Sequence, residues 1–303
     1  MSNGEIITQL LELVDVFFYY LCRHYFFTRT FPIMKPTKVL FISQEIFPYL
    51  PESEIATIGR ELPQGIQEKG REIRTFMPRF GNINERRNQL HEVIRLSGMN
   101  LIIDDNDYPL IIKVASIQAA RMQIYFIDND DFFQRKNTVA DDNGTEYEDN
   151  DDRSIFYSRG VIETVRKLRW VPDVVHCHGW MTALAPLYIK KAFSDDPCFK
   201  NAKVVYSAYD NPFQVPFRDG FSSKLMLDGI NAGDVEEISG EVTFEALNKL
   251  AFQFSDGIIQ ASPTMSESLK EAAENSGKLF LEYQSPDNYI EAFNDFYDQV
   301  LEQ

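Results

Sequence analysis

Positive charge is scarce in this 303-residue chain: 30 Lys and Arg stand against 46 Asp and Glu, a formal net charge of -16. A deficit of that size excludes nucleic acid and anionic membrane surfaces as partners, because both require clustered cations. Cysteine is scarce as well. Cys22, Cys177 and Cys198 are odd in number and form no CxxC pair, so neither a disulfide framework nor a cysteine metal cluster is expected, and the usage suits a reducing cytoplasm. Long apolar runs are also missing. In IITQLLELVDVFFYYLCRHYFF the charges of Glu12, Asp15 and Arg23 leave Val16 to Cys22 as the longest uncharged central run, about a third of the ~20 residues a bilayer requires. No membrane span is expected, and no basic start or small-residue cleavage site marks a secretory leader. Residues 1–34 read as an N-terminal extension, or as translated upstream sequence ahead of a start at Met34. A membrane-surface or partner-binding helix is the alternative. The domain is expected to span 35–303.

What remains is rich in core-forming residues, 44% hydrophobic and 13% aromatic, enough for a substantial interior. KVLFIS at 38–43 is a strand run, Ile55, Ile58, Leu62 and Ile66 recur at helical spacing until Gly70, and REIRTFMP returns to strand. That alternation builds parallel sheets. HEVIRL, MNLIIDD, PLIIKVASI and MQIYFIDND then follow as strands with short connections, which predicts an antiparallel or mixed excursion. From Ser154 the helix and strand alternation resumes through DVVHCH, WMTALAPLYIKKAF, KVVYSAY, GIIQAS and KLFLEY. The ending SPDNYIEAFNDFYDQVL predicts a helix capped by Ser285 with Pro286 in its first turn. Its face of Tyr289, Ile290, Phe293, Phe296, Tyr297, Val300 and Leu301 is expected to dock on the sheet, with an interface to another chain as the alternative. The fold class is therefore α/β, a Rossmann-like doubly wound, mainly parallel sheet.

Chemistry-bearing patterns are few. The first strand leads into PYLPESEIATIGREL, where many α/β proteins place phosphate-holding glycines; here Pro51, Glu52, Ser53, Glu54 and Ile55 stand there, and the plain reading is a helix start with acidic first-turn residues. His176 and His178 share one face of a strand, yet no third or fourth ligand accompanies them, so no metal is expected. Trp180 is either a helix-start core residue or a sugar-stacking platform. The acidic run 139–152 lacks EF-hand spacing and reads as a solvated loop. No cofactor motif stands out.

KVLFISQEIFP, MPRFG and PDVVHCHGWMTALAPLYIK, in this order and spacing from about Lys38 to Tyr209, resemble the N-terminal catalytic lobe of bacterial glycogen and starch synthases. The resemblance implies one lobe of the two-lobe GT-B glycosyltransferase fold and a family reaction that transfers glucose from ADP-glucose to an α-1,4-glucan. The later runs look like a short branch of the family that ends after one lobe, which implies a complete single-lobe chain whose cleft lacks its opposing wall. Against the family's Lys-x-Gly-Gly-Leu turn, Pro51, Ser53, Glu54 and Ile55 form a degenerate donor-phosphate turn. Against HxHDW, His176, His178 and Trp180 match while Gly179 replaces the aspartate. Against Ile-His-Asn, Tyr209 and Asp210 replace histidine and asparagine. Tyr147, Asp149, Asn150 and Arg153 match a family pattern read as structural.

These departures predict weak or no transfer by the chain alone, disfavoured ADP-glucose binding, and no catalytic residue. The residues expected to hold glycan are His176, His178, Trp180, Tyr209 and Asp210. An α-glucan or oligosaccharide is the expected ligand, and a protein supplying a second lobe is a further partner; the alternative reading is a non-catalytic glycan-binding or regulatory module.

Overall fold

The computed structural model describes residues 35–303, so the expectations for residues 1–34 lie outside the described residues. Thr37–Gln303 forms one compact unit. Its helices and strands alternate about a single sheet. The strands are β1 (Lys38–Ser43), β2 (Glu72–Pro78), β3 (His91–Glu92), β4 (Met99–Ile103), β5 (Asn106–Ile117), β6 (Met122–Asp128), β7 (Val174–His178), β8 (Lys203–Ala208), β9 (Gly257–Gln260) and β10 (Leu279–Leu281). The helices are α1 (Glu54–Glu68), α2 (Asp130–Phe133), α3 (Asn150–Leu168), α4 (Leu184–Lys190), α5 (Phe221–Lys224), α6 (Phe244–Gln253), α7 (Glu267–Glu274) and α8 (Tyr289–Leu301).

The strand order is β10-β9-β8-β7-β1-β2-β6-β5-β3, with β4 paired to β5. Pairs from β10 to β6 are parallel, whereas β5 runs antiparallel to β6, β4 and β3. The mixed excursion is therefore real, although HEVIRL contributes only His91 and Glu92 to it. The chain winds from β1 toward β2 on one side and from β7 toward β10 on the other. The order reverses between β1 and β7, where open α/β sheets form a crevice at their carboxyl edge.

Alternation along the strands divides the core. Leu40, Ile42, Val175, Cys177, Val204 and Tyr206 face the layer that contains α3, α4 and α6. Val39, Phe41, Val174, Val205 and Ile259 face the other layer, where Leu62 and Ile66 of α1 and Phe293, Phe296, Tyr297 and Val300 of α8 cover them. The terminal helix thus docks on this sheet. It begins at Tyr289 after a turn in which the Ser285 carbonyl accepts from the amides of Asn288 and Tyr289, three residues later than the predicted cap at Ser285 and start at Pro286. Close approach explains its seat: a Cβ on Gly257 would lie 2.8 Å from Phe296, and one on Gly65 would lie 2.6 Å from Ile290. Arg71 fixes the far end, donating to Asn294 Oδ1 at 2.8 Å and pairing with Asp298 at 2.9 Å.

Candidate functional site

The crevice between β1 and β7 is bounded by the loop that leads from Ser43 into α1. Gln44 is buried; its backbone N–H donates to the His178 carbonyl at 3.1 Å, and its Oε1 accepts from Met181 N–H at 3.2 Å. The loop is thereby tied to the end of β7. Ile46, Tyr49 and Leu50 turn into the core, with Tyr49 edge-on to Phe126 at 4.9 Å. Pro51 and Glu52 are exposed, and the helix then begins without any glycine.

Ser53 makes that possible. It is the N-cap of α1 in an extended conformation (φ -145°, ψ 168°) open to any residue, and its Oγ accepts from Ala56 N–H at 3.1 Å. The same hydroxyl donates to Glu45 at 2.9 Å. Burial raises the Glu45 carboxyl above its ordinary range, and the Ser53 hydrogen bond opposes that rise. Glu54 occupies the first turn, accepting from the Ser262 hydroxyl. Ser262 in turn accepts from the Asp210 amide at 3.0 Å, and Asp210 accepts from Thr264 at 2.6 Å. The structure therefore brings Glu54 and Asp210 together through Ser262.

Ile55 points the other way. It lies in a small apolar group with Tyr209 and Ala261, with Ile58 packed against it. A Cβ built on Gly179 would fall 2.6 Å from Ile55 Cδ1 and 2.8 Å from Gln44 Oε1, and Gly179 itself sits at φ 84°, ψ 160°, a backbone region open essentially to glycine alone. Both the space and the conformation reject a side chain at 179. Gln44 and Ile55 thus close over Gly179 at this end of the crevice, and Ile55 packs on Tyr209.

The remaining predicted site residues are inside the protein. His176 and His178 have no exposed surface, and Trp180 and Tyr209 are 2% and 4% exposed. His176 bridges Tyr297 Oη at 2.6 Å and Ser207 Oγ at 2.7 Å, while His178 Nδ1 meets Tyr209 Oη at 2.9 Å. Burial holds the His176 imidazole well below its ordinary pKa and pushes His178 down to about 3, so both rings are neutral at physiological pH. Burial raises the Tyr209 phenol far above its usual value, and the nearby Glu54 carboxylate adds to the shift. Trp180 packs edge-on to Phe213 at 5.1 Å and Phe217 at 5.9 Å in the opposite layer. In this arrangement the two histidines, Trp180 and Tyr209 serve packing and hydrogen bonding within the core, and Asp210 alone of the five is exposed.

The acidic run is only partly a loop. Asn150 opens α3, and Asp151, fully buried, takes two hydrogen bonds from Arg218, at 2.9 and 2.6 Å. Arg153 is also fully buried and donates to Phe132 O at 2.9 Å and Asn150 Oδ1 at 2.6 Å beneath the Phe133 and Tyr147 rings; burial pulls its pKa down to about 10. Among the described residues no cluster of His, Cys, Asp and Glu has the makings of a metal site, and no helix is long and apolar enough to cross a membrane.

A cavity of about 370 Å³ opens beside this turn, between the start of α1 and the segment Tyr283–Pro286 ahead of α8. Glu52, Glu54 and Glu61 line it, and among the described residues no Lys, Arg or His does. A phosphate within about 5 Å of one such carboxylate would meet roughly 1 kcal/mol of repulsion in water and about 3 kcal/mol near a protein surface. Gln44, Glu45, Gln260 and Ser262, which organise this edge, were not marked by any motif. Their positions at the carboxyl ends of strands β1 and β9 are the one signal that could have drawn attention to them.

The chain matches the family model of the starch synthase catalytic domain over residues 38–279. Similar sequences include the glycogen synthase of Chlorobaculum tepidum, 36% identical over 211 residues, covering 69% of this chain and 43% of that protein. The glycogen synthase of Chlorobaculum parvum is 31% identical over 244 residues, covering 79% of this chain and 48% of that protein. That of Pelodictyon phaeoclathratiforme is 35% identical over 174 residues, covering 57% of this chain and 36% of that protein. The chain thus spans less than half the length of the relatives it matches. Among solved structures, the catalytic domain of starch synthase IV from Arabidopsis thaliana, bound to ADP and acarbose, superposes with a TM-score of 0.66 at 18% identity, covering 84% of this chain and 53% of that one. That likeness concerns the fold, one lobe of the GT-B architecture.

Proposed function

Because the chain belongs to the starch synthase catalytic domain family, we propose that it is a glycogen and starch synthase-like lobe that carries out little or no glucosyl transfer from ADP-glucose by itself. The observation that carries this reading is the closed crevice: Ile55 and Gln44 fill the space that a side chain at 179 would need. The charge beside it supports the same reading. Glu52 and Glu54 are exposed and line the adjoining cavity, and Pro51 offers neither a cation nor an amide hydrogen. Transfer chemistry of this kind gains its rate from donors aimed at developing charge, and an acceptor-lined edge supplies the opposite sign.

Incorporation of radiolabelled glucose from ADP-glucose into glycogen tests the proposal directly. Label at the background of a heat-treated sample is expected, and robust chain extension would refute it.

A second reading, a non-catalytic glycan-binding or regulatory module, is favoured by an edge that carries no cation among the described residues, since neutral sugar hydroxyls do not need one. Glycogen-containing native gels test it. Retardation of the wild-type chain that is lost in Asp210→Ala supports binding at this edge, and equal mobility with and without glycogen counts against it. Trp180→Ala would be uninformative because that ring is buried.

A further inference from the structure

We propose that Asn143 is a site of spontaneous deamidation, and that its isoaspartate product loosens the segment that follows β8. Asn143 and Gly144 sit at the exposed tip of a hairpin whose legs meet at Ala140 and Glu146. Among the described residues Asn143 is the one asparagine followed by glycine. A glycine there leaves its backbone nitrogen open to approach, and a Cβ built on Gly144, at φ 83°, would find no atom within 4 Å, so no neighbour shields the pair. The turn is held by Asp141 and not by the reacting side chain. Asp141 Oδ1 accepts from the amides of Asn143 at 2.8 Å and Thr145 at 2.9 Å, and the Asp141 carbonyl accepts from Gly144 N–H at 3.0 Å. That last bond must open for reaction, and at a loop tip such openings cost little.

In the reaction the Gly144 nitrogen gives up its proton and attacks Asn143 Cγ. The new C–N bond closes a five-membered succinimide, the bond from Cγ to the side-chain nitrogen breaks, and ammonia leaves with a proton in place of the one given up. Solvent water then opens the ring. Opening at the side-chain carbonyl gives aspartate; opening at the main-chain carbonyl gives isoaspartate, in which the chain runs through Cβ and is one atom longer. Both products add a carboxylate, but only isoaspartate alters the hairpin. The extra atom falls between the two amides that Asp141 Oδ1 holds and inside the bridge from Ala140 to Glu146. Glu146 is the leg with a consequence: its carboxylate accepts from the amides of Gln214 and Val215, each at 2.9 Å, and so ties down the segment that packs Phe213 and Phe217 on Trp180.

The test ages the full chain in mildly alkaline buffer, with a portion unfolded in urea as the chemical reference, and maps both by mass spectrometry that separates isoaspartate from aspartate. Within the tryptic peptide 137–153 the change is expected at Asn143, while Asn137, followed by a β-branched residue, and the buried Asn150 stay intact. Asn3–Gly4 falls in a different peptide. Conversion in the folded chain is expected within roughly tenfold of the urea-unfolded rate, because little opening energy separates the two. Asn143→Gln, which would have to close a six-membered ring, is expected to stay unmodified over the same period, and Asp141→Ala is expected to convert several-fold faster. Hydrogen exchange at the Gln214 and Val215 amides is expected to rise several-fold in the isoaspartate form and to stay unchanged in Asn143→Asp, which carries the new charge on an unaltered chain. Intact Asn143 in the folded chain after the unfolded reference has converted would overturn the proposal, as would exchange at 214 and 215 that is the same in aged and fresh protein or that rises equally in Asn143→Asp.

Discussion

Replacing Gly179 with alanine is the sharpest perturbation of the closed crevice. At φ 84° and ψ 160° the backbone is strained for any residue with a Cβ, at a cost of about 1–3 kcal/mol. The added Cβ would stand 2.6 Å from Ile55 Cδ1 and 2.8 Å from Gln44 Oε1. Gln44 cannot swing away freely because its Oε1 holds Met181 N–H, so overpacking adds about 1–3 kcal/mol. The expected loss is about 2–6 kcal/mol, a large share of the stability of an ordinary domain. Ile55→Ala on its own should cost about 2–5 kcal/mol through the cavity it leaves. The two changes are not independent. Once Ile55 is shortened, the nearest clash of the new Cβ disappears, and the alanine at 179 should cost about 1–2 kcal/mol less than in the wild-type background. Urea unfolding of the four proteins measures this cycle. Additivity within about 0.5 kcal/mol, or a Gly179→Ala loss below about 1 kcal/mol, would refute the reasoning that Ile55 occupies the space above Gly179.

Other expectations follow from the buried polar groups. His176 and His178 are neutral in the fold with depressed pKa values, so the unfolded chain binds protons first as pH falls below about 6.5 and stability is lost from there downward; His178 should cost about 2 kcal/mol by pH 5, and His176 adds in the same direction. Comparing urea midpoints at pH 7 and pH 5 for wild type and His178→Asn isolates this effect from the general change in net charge, and an identical pH dependence in both proteins would contradict it. Tyr297→Phe removes the partner of His176 Nδ1 and should destabilise by about 1–3 kcal/mol in the same assay. Arg218→Ala leaves the fully buried Asp151 with the Asp152 amide, at 2.7 Å, and Lys224, at 3.6 Å, and should cost about 3 kcal/mol; a change within 0.5 kcal/mol would show that this cluster does not act as a pair. Ser53→Ala, which deletes the α1 cap, should cost about 1 kcal/mol, and no change in the urea midpoint would count against the cap.

Local pattern was enough to read much of the fold. KVLFIS coincides with β1 because a short apolar run in a buried parallel strand has few other states available. HEVIRL misled for a tertiary reason. After His91 and Glu92 the chain turns, leaving Ile94 82% exposed while Leu96 enters the core, so its apolar residues do not form one strand face. WMTALAPLYIKKAF is broken into a 3-10 turn at Trp180–Thr182 and a helix from Leu184, which places Pro186 within the first helical turn, where its missing N–H is tolerated.

The candidate site was less legible than the fold. Period two correctly put His176 and His178 on one face. Their burial depends on α8, where Tyr297 arrives from 121 residues further along the chain, and no local pattern carries that information. Gly179 shows the same limit: the motif marks a missing aspartate, whereas the reason no side chain fits is a contact with Ile55 from a different element.

The central claim is that an edge lined by carboxylates and closed at Ile55 and Gly179 does not hold a sugar diphosphate. Titration of the chain with ADP-glucose in a calorimeter, at an ionic strength low enough to preserve attraction, tests it most directly. The account predicts no saturable heat up to millimolar donor; a one-to-one isotherm in the micromolar range, displaced by ADP, would contradict it.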